Sequence, residues 1–108
     1  MALVRRLQRT NKDQYTVTIP KALTELLHLQ AKDRLEFRLD QQRLLLARTD
    51  RTTALTRSLQ RTNKGQYTLT IPKALIELLQ LKTRDVLEFG LEGDVLILTK
   101  HVDGEANA

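Results

Sequence analysis

The sequence predicts a mostly β protein with one short helix per repeat, a small β-barrel built from two β-β-α-β-β repeats. Three observations carry that expectation. The stretch Tyr15-Thr16-Val17-Thr18-Ile19-Pro20-Lys21-Ala22-Leu23 recurs 52 positions later as Tyr67-Thr68-Leu69-Thr70-Ile71-Pro72-Lys73-Ala74-Leu75, and 26 of the 42 positions from Leu7 to Arg48 are identical in Leu59 to Lys100. One module has therefore been duplicated. In each copy, apolar and polar residues alternate on both sides of a short Leu-rich run, the pattern of strands flanking a helix. Each repeat is about half of 108 residues, below the size at which a lone core usually holds, so the two halves are expected to share one core.

Taken in order, Leu3 to Thr10 reads as a strand with Leu3, Arg5, Leu7 and Arg9 on one face. Asn11-Lys12-Asp13-Gln14 turns the chain, and its copy Asn63-Lys64-Gly65-Gln66 has Gly where the first has Asp. Those are the two residues expected where a turn needs a positive φ. The second strand sets Tyr15, Val17 and Ile19 on one face against Thr16 and Thr18 on the other. Pro20 then opens a helix, where its missing N–H would have had no intrahelical partner. The helix is expected to run to about Leu29, with Ala22, Leu23, Leu26 and Leu27 on the apolar side and Lys21, Thr24, Glu25 and His28 toward solvent. Ile76 in place of Thr24 widens the apolar face of the second helix.

After a polar turn from Gln30 to Asp33, Leu35, Phe37 and Leu39 alternate with Glu36 and Arg38, and Arg43 to Arg48 returns as a fourth strand. The expected organisation is repeat 1 over 1–48, a linker over 49–52, repeat 2 over 53–100 and a flexible tail over 101–108. Interleaving the hairpins of the two repeats is expected to give every strand a neighbour and leave no exposed edge.

Only two Tyr and two Phe supply aromatic area, so Leu, Ile and Val must fill the core. The absence of cysteine excludes disulfides and thiolate metal sites, and no run approaches the roughly 20 apolar residues of a membrane span. Arg5 and Arg6 interrupt the start of the chain before a signal-peptide apolar region forms, so a cytoplasmic location is the expectation. No cofactor is implied. His28 lacks a neighbour at ligand spacing, and serine occurs once, at Ser58. The repeated carboxylates Glu25 and Glu77, and Glu36 and Glu88, read as exposed helix and strand acids, so no enzymatic activity is expected.

The net charge of +5 is unevenly placed. Residues 1–21 carry Arg5, Arg6, Arg9, Lys12 and Lys21 against Asp13, and residues 53–73 carry Arg57, Arg61, Lys64 and Lys73 with no acid, so each stretch is +4. The rest of the chain is net acidic. Positive charge therefore recurs at the same place in each repeat, which points to an anionic partner.

A basic strand, a turn, the strand Thr18-Ile19-Pro20-Lys21, a short Leu-rich helix, Asp33-x-Leu35-Glu36-Phe37 and a closing Leu44-Leu45-Leu46, all repeated at a spacing of 52, resemble the AbrB/SpoVT-type DNA-binding domain. That resemblance implies a swapped-hairpin barrel and a DNA-binding transcriptional regulator. Proteins of this type are usually homodimers from bacteria or archaea, and the duplication implies that both halves lie in one chain, with a further homodimer of the tandem chain left open. The chain departs from the family pattern at Tyr15-Thr16 and Tyr67-Thr68, where Gly-Arg is frequent, and at Thr24-Glu25 and Ile76-Glu77, where arginines are frequent. It also has His28 and Gln80 where glycine is common.

The resemblance places DNA contacts on Arg5, Arg9 and Lys12 and on Arg57, Arg61 and Lys64. Clustered Lys and Arg bind duplex DNA because neutralising phosphates releases counterions, and a strand pair is narrow enough for the major groove. Arg6 points to the other face of the strand and is a further candidate. Lys21 and Lys73, one residue into each helix, are candidates for phosphate. Asn11 and Asn63 are candidates for a base edge, since an amide both donates and accepts; Asn at a turn also bonds its own backbone. The alternative for the basic strands is a solvated edge that blocks aggregation. Tyr15 and Tyr67 read as rings on the core with wet hydroxyls. The alternative function is an antitoxin or protein-binding scaffold with a toxin partner, for which the eight residues after Lys100 form a short tail.

Overall fold

The computed structural model describes residues 3–101. Repeat 1 folds as β1 (Leu3–Arg6), β2 (Gln8–Arg9), β3 (Tyr15–Ile19), α1 (Lys21–Leu26), β4 (Arg34–Asp40) and β5 (Arg43–Arg48). Repeat 2 follows as β6 (Thr56–Ser58), β7 (Gln60–Arg61), β8 (Tyr67–Ile71), α2 (Lys73–Leu78), β9 (Val86–Glu92) and β10 (Val95–Lys100). The protein is mostly β with one short helix per repeat, as the periodicities predict. The tail expected over 101–108 lies outside the described residues except for His101, whose N–H donates to the Val86 carbonyl at 2.7 Å.

Strands from the two repeats are mixed in both sheets. One curled six-stranded sheet runs β1-β9-β10-β5-β4-β6, and a four-stranded sheet runs β2-β3-β8-β7. In the small sheet Val17 lies opposite Leu69, and in the large one Leu45 lies opposite Ile97. Each is its own copy 52 residues on, so a pseudo-two-fold axis passes through both pairs. Val17, Leu69, Leu44, Leu46, Leu96 and Leu98 are buried around it. The shared core expected from repeat size is thus supplied by apolar faces that neither repeat could cover alone.

The first strand is not continuous. The stretch breaks at Leu7 and again at its copy Leu59, both fully buried. There the chain leaves the edge of one sheet and joins the edge of the other. Each leucine is held by the opposite repeat: the Leu7 N–H donates to the Asp85 carbonyl and the Arg84 N–H donates to the Leu7 carbonyl, both at 2.8 Å. Leu59 makes the same two bonds with Asp33 and Lys32 at 2.7 Å. The expected loss of every edge is corrected by this geometry, because β1 and β6 end the large sheet and β2 and β7 end the small one. The small-sheet edges are two residues each, short and charged, which limits edge-to-edge pairing.

The helices are also shorter than the expected run to Leu29, and they face differently. Each ends in a Schellman motif: Leu29 N–H donates to the Thr24 carbonyl at 2.9 Å and His28 N–H to the Glu25 carbonyl at 3.2 Å, with His28 at φ 56. Leu81, Ile76, Gln80 and Glu77 repeat the arrangement, with Gln80 at φ 55. The motif packs the residue after the turn, Leu29 or Leu81, against the third residue from the helix end. That is why Thr24 and Ile76 are buried, whereas Leu26 and Leu78 are 64% and 65% exposed. Thr24 satisfies its buried hydroxyl by donating to the Lys21 carbonyl at 2.7 Å. Among the described residues no helix is long and apolar enough to cross a membrane.

Candidate nucleic-acid interface

The two basic hairpins are built alike. The Thr10 N–H donates to the Gln14 carbonyl at 2.8 Å and the Asp13 N–H to the Thr10 carbonyl at 3.0 Å, while Thr62, Gly65 and Gln66 repeat both bonds at 2.8 and 2.9 Å. Asp13 has φ 67 and Gly65 φ 78, the left-handed turn position expected from the Asp/Gly exchange. Threonine hydroxyls brace the turns: the Lys12 and Gln14 N–H groups both donate to Thr10 Oγ1 at 3.3 Å, and Gln66 N–H donates to Thr62 Oγ1 at 3.2 Å. Asn11 and Asn63 are left exposed at the tips.

Register then decides what each hairpin meets. Tyr15 lies opposite Ile71 and Ile19 opposite Tyr67, so the base of each hairpin adjoins the start of the other repeat's helix. Lys12, Asp13, Arg57 and Lys73 line one groove. Arg9, Asp13, Lys73, Glu77 and Lys82 line a second, of about 540 Å³. Across the pseudo-two-fold, Arg61, Lys64, Lys21, Glu25 and His28 line its counterpart of about 510 Å³. Tyr15 and Tyr67, half-buried against the core, form a wall in each. Lys82 and His28 are residues that sequence reasoning had not placed here; only the partnering of each hairpin with the other repeat's helix reveals them.

The strand break separates Arg5 from Arg9, which the sequence places together on one face. Arg5 is opposite Leu87 in the large sheet, while Arg9 is opposite Tyr15 in the small one. Residues directly opposite share a face, so Arg5 emerges on the side of buried Leu87. It is half-buried there, and its Nη1 donates to the Val4 carbonyl at 2.7 Å. Arg57 is placed likewise opposite Leu35 and donates to the Ala54 and Thr56 carbonyls at 3.0 and 2.8 Å. Arg6 is exposed on the other face, its Nη1 3.5 Å from the Arg84 carbonyl.

Arg9 and Arg61 differ most. Arg9 Nε donates to Asp13 Oδ1 at 2.6 Å, and its Nη2 contacts the same oxygen. The bond to Arg9, helped by the charge of Lys73, holds the Asp13 carboxyl below the usual carboxylate range, and Asp13 in turn raises the Arg9 guanidinium. At the matching turn Gly65 offers no carboxylate, and among the described residues Arg61 has no side-chain partner; its Nη2 stands 3.8 Å from where a Cβ on Gly65 would be. Among the described residues no group of three or more His, Asp or Glu side chains is placed to hold a metal ion. Set against protein-family models, curated proteins and solved structures, the chain matches none of them.

Proposed function

We propose that this chain is a DNA-binding transcriptional regulator of the AbrB/SpoVT type, a swapped-hairpin barrel with both halves in one polypeptide. The observation that carries the reading is the gathering of cations from both repeats into shared grooves, as where Lys21 of the first repeat lines one groove with Arg61 and Lys64 of the second hairpin. A solvated, aggregation-blocking edge needs charge only on its edge strands and gives no reason for cations of both repeats to converge. Convergent cations beside a two-strand hairpin suit a phosphate backbone, with the tips carrying Asn11 and Asn63 toward base edges. Because contacts of this kind fall mostly on phosphate, selectivity rests largely on duplex shape and deformability.

Lys12 and Lys64 are exposed at the hairpin tips, so they can be changed without disturbing the core. Joint charge reversal, Lys12→Glu with Lys64→Glu, is expected to weaken duplex binding at least about tenfold at low salt, since two phosphate contacts become repulsive. Circular dichroism should be unchanged. Undiminished affinity in the folded double variant would remove the hairpins from the interface.

A further inference from the structure

The two hairpin grooves are built from corresponding elements of the two repeats, yet they are not electrostatically equal. Arg9, Lys73 and Lys82 face two carboxylates, Asp13 and Glu77, in the first-hairpin groove; Lys21, Arg61 and Lys64 face only Glu25 in the second. The decisive difference is one turn residue. Asp13 takes two of the Arg9 donors, Nε and Nη2, onto one carboxylate oxygen. Gly65 holds the same left-handed turn, at φ 78 against φ 67 for Asp13, with no side chain at all. The guanidinium of Arg61 lies over that glycine with its donors uncommitted among the described residues.

We propose that the groove of Arg61, Lys64 and Lys21 is the primary phosphate-binding half-site and that Asp13 closes the first-hairpin groove to anions. An arriving phosphate at the first hairpin must displace a carboxylate from Arg9 and then lie beside it. At the second hairpin, Arg61 presents its planar fork to two phosphate oxygens, with two ammonium groups flanking it. The binding face is therefore polar: one chain grips a duplex with a strong half and a weak half, and so prefers one orientation on an asymmetric site. For its ligand, a phosphate group of nucleic acid, the inference rests on the DNA-binding reading above.

The turn itself supplies the cleanest variant. Asp13→Gly copies Gly65 at a position where glycine is unstrained, so the fold is retained. Two titrations of the full chain test the idea. In the first, inorganic pyrophosphate is added while the arginine Nε–H and backbone amide signals are followed by NMR. The Arg61 Nε–H and the Lys64 and Gly65 amides are expected to shift to saturation, with Arg9 following only in Asp13→Gly. Equal responses of Arg9 and Arg61 in the unaltered chain, or no response from either, overturn the inference.

In the second, a duplex is titrated over a range of salt. Losing one phosphate contact reduces the log–log salt slope by about 0.9. Arg61→Gln is expected to lower the slope by that amount, Arg9→Gln by less than half as much, and Asp13→Gly to raise it. Duplex binding with equal losses in the two arginine variants refutes the unequal half-sites and leaves the DNA-binding reading standing. Pyrophosphate captured at Arg61 by a chain that binds no duplex supports the anion site and refutes that reading.

Discussion

Leu7 and Leu59 are each fully buried at the corner where a strand changes sheets. Leu7→Ala removes a core side chain whose backbone is already fixed by Arg84 and Asp85, so the site cannot collapse to fill the gap. The expected cost is about 2–5 kcal/mol, which calorimetry should record as a fall in Tm on the order of 10 °C or more. Gln80 marks an opposite opportunity. It holds φ 55 without being glycine, and Gln80→Gly should stabilise the chain by about 0.5–1 kcal/mol in urea titration. Asp13 gives a pH signature. Its folded pKa is lowered by Arg9, so the pair's stabilisation is complete above the unfolded value of about 3.9 and is lost as pH falls through the folded value. Both partners are half-exposed, so the effect is screened and small. The Tm difference between the native chain and Asp13→Asn should therefore vanish toward about pH 2, and a difference that persists there would show that the pair is not its source.

At the scale of elements, the hairpins were the most legible part of the sequence and the helices the least. The turn at Asn11 to Gln14 could be read because Asp13 and Gly65 exchange at one position, a direct sign of positive φ. The helix face could not. Spacing alone puts Leu26 with Leu23, but the Schellman ending turns the chain at His28 and brings Leu29 back over Thr24. That ending, which no glycine announces in the sequence, leaves Leu26 in solvent and puts Thr24 inside. Leu23→Ala is accordingly expected to cost about 2–5 kcal/mol and Leu26→Ala no more than about 0.5 kcal/mol. Comparable losses in chemical denaturation would restore the face read from periodicity. The break at Leu7 was hidden for a related reason: apolar and basic residues alternate straight through it, and only hydrogen bonds from the other repeat define the corner.

For the whole molecule, duplication predicted a shared core, and the pairing of Val17 with Leu69 and Leu45 with Ile97 realises it. The basic residues of the candidate site were likewise visible as two charged stretches, but which of them meet across the repeats was not. Lys73 lies beside the first hairpin and Lys21 beside the second because β3 and β8 run antiparallel across the pseudo-two-fold, a relation no local pattern encodes. We propose that this doubled arrangement holds the phosphate backbone of duplex DNA. Fluorescence anisotropy of a labelled random-sequence duplex of about 30 base pairs, titrated with the full chain at several salt concentrations, tests it most directly. A steep linear fall of log affinity with log salt, with a slope of about −0.9 for each phosphate neutralised and several phosphates engaged, is the predicted result. No binding even at low salt, or binding indifferent to salt, would contradict it.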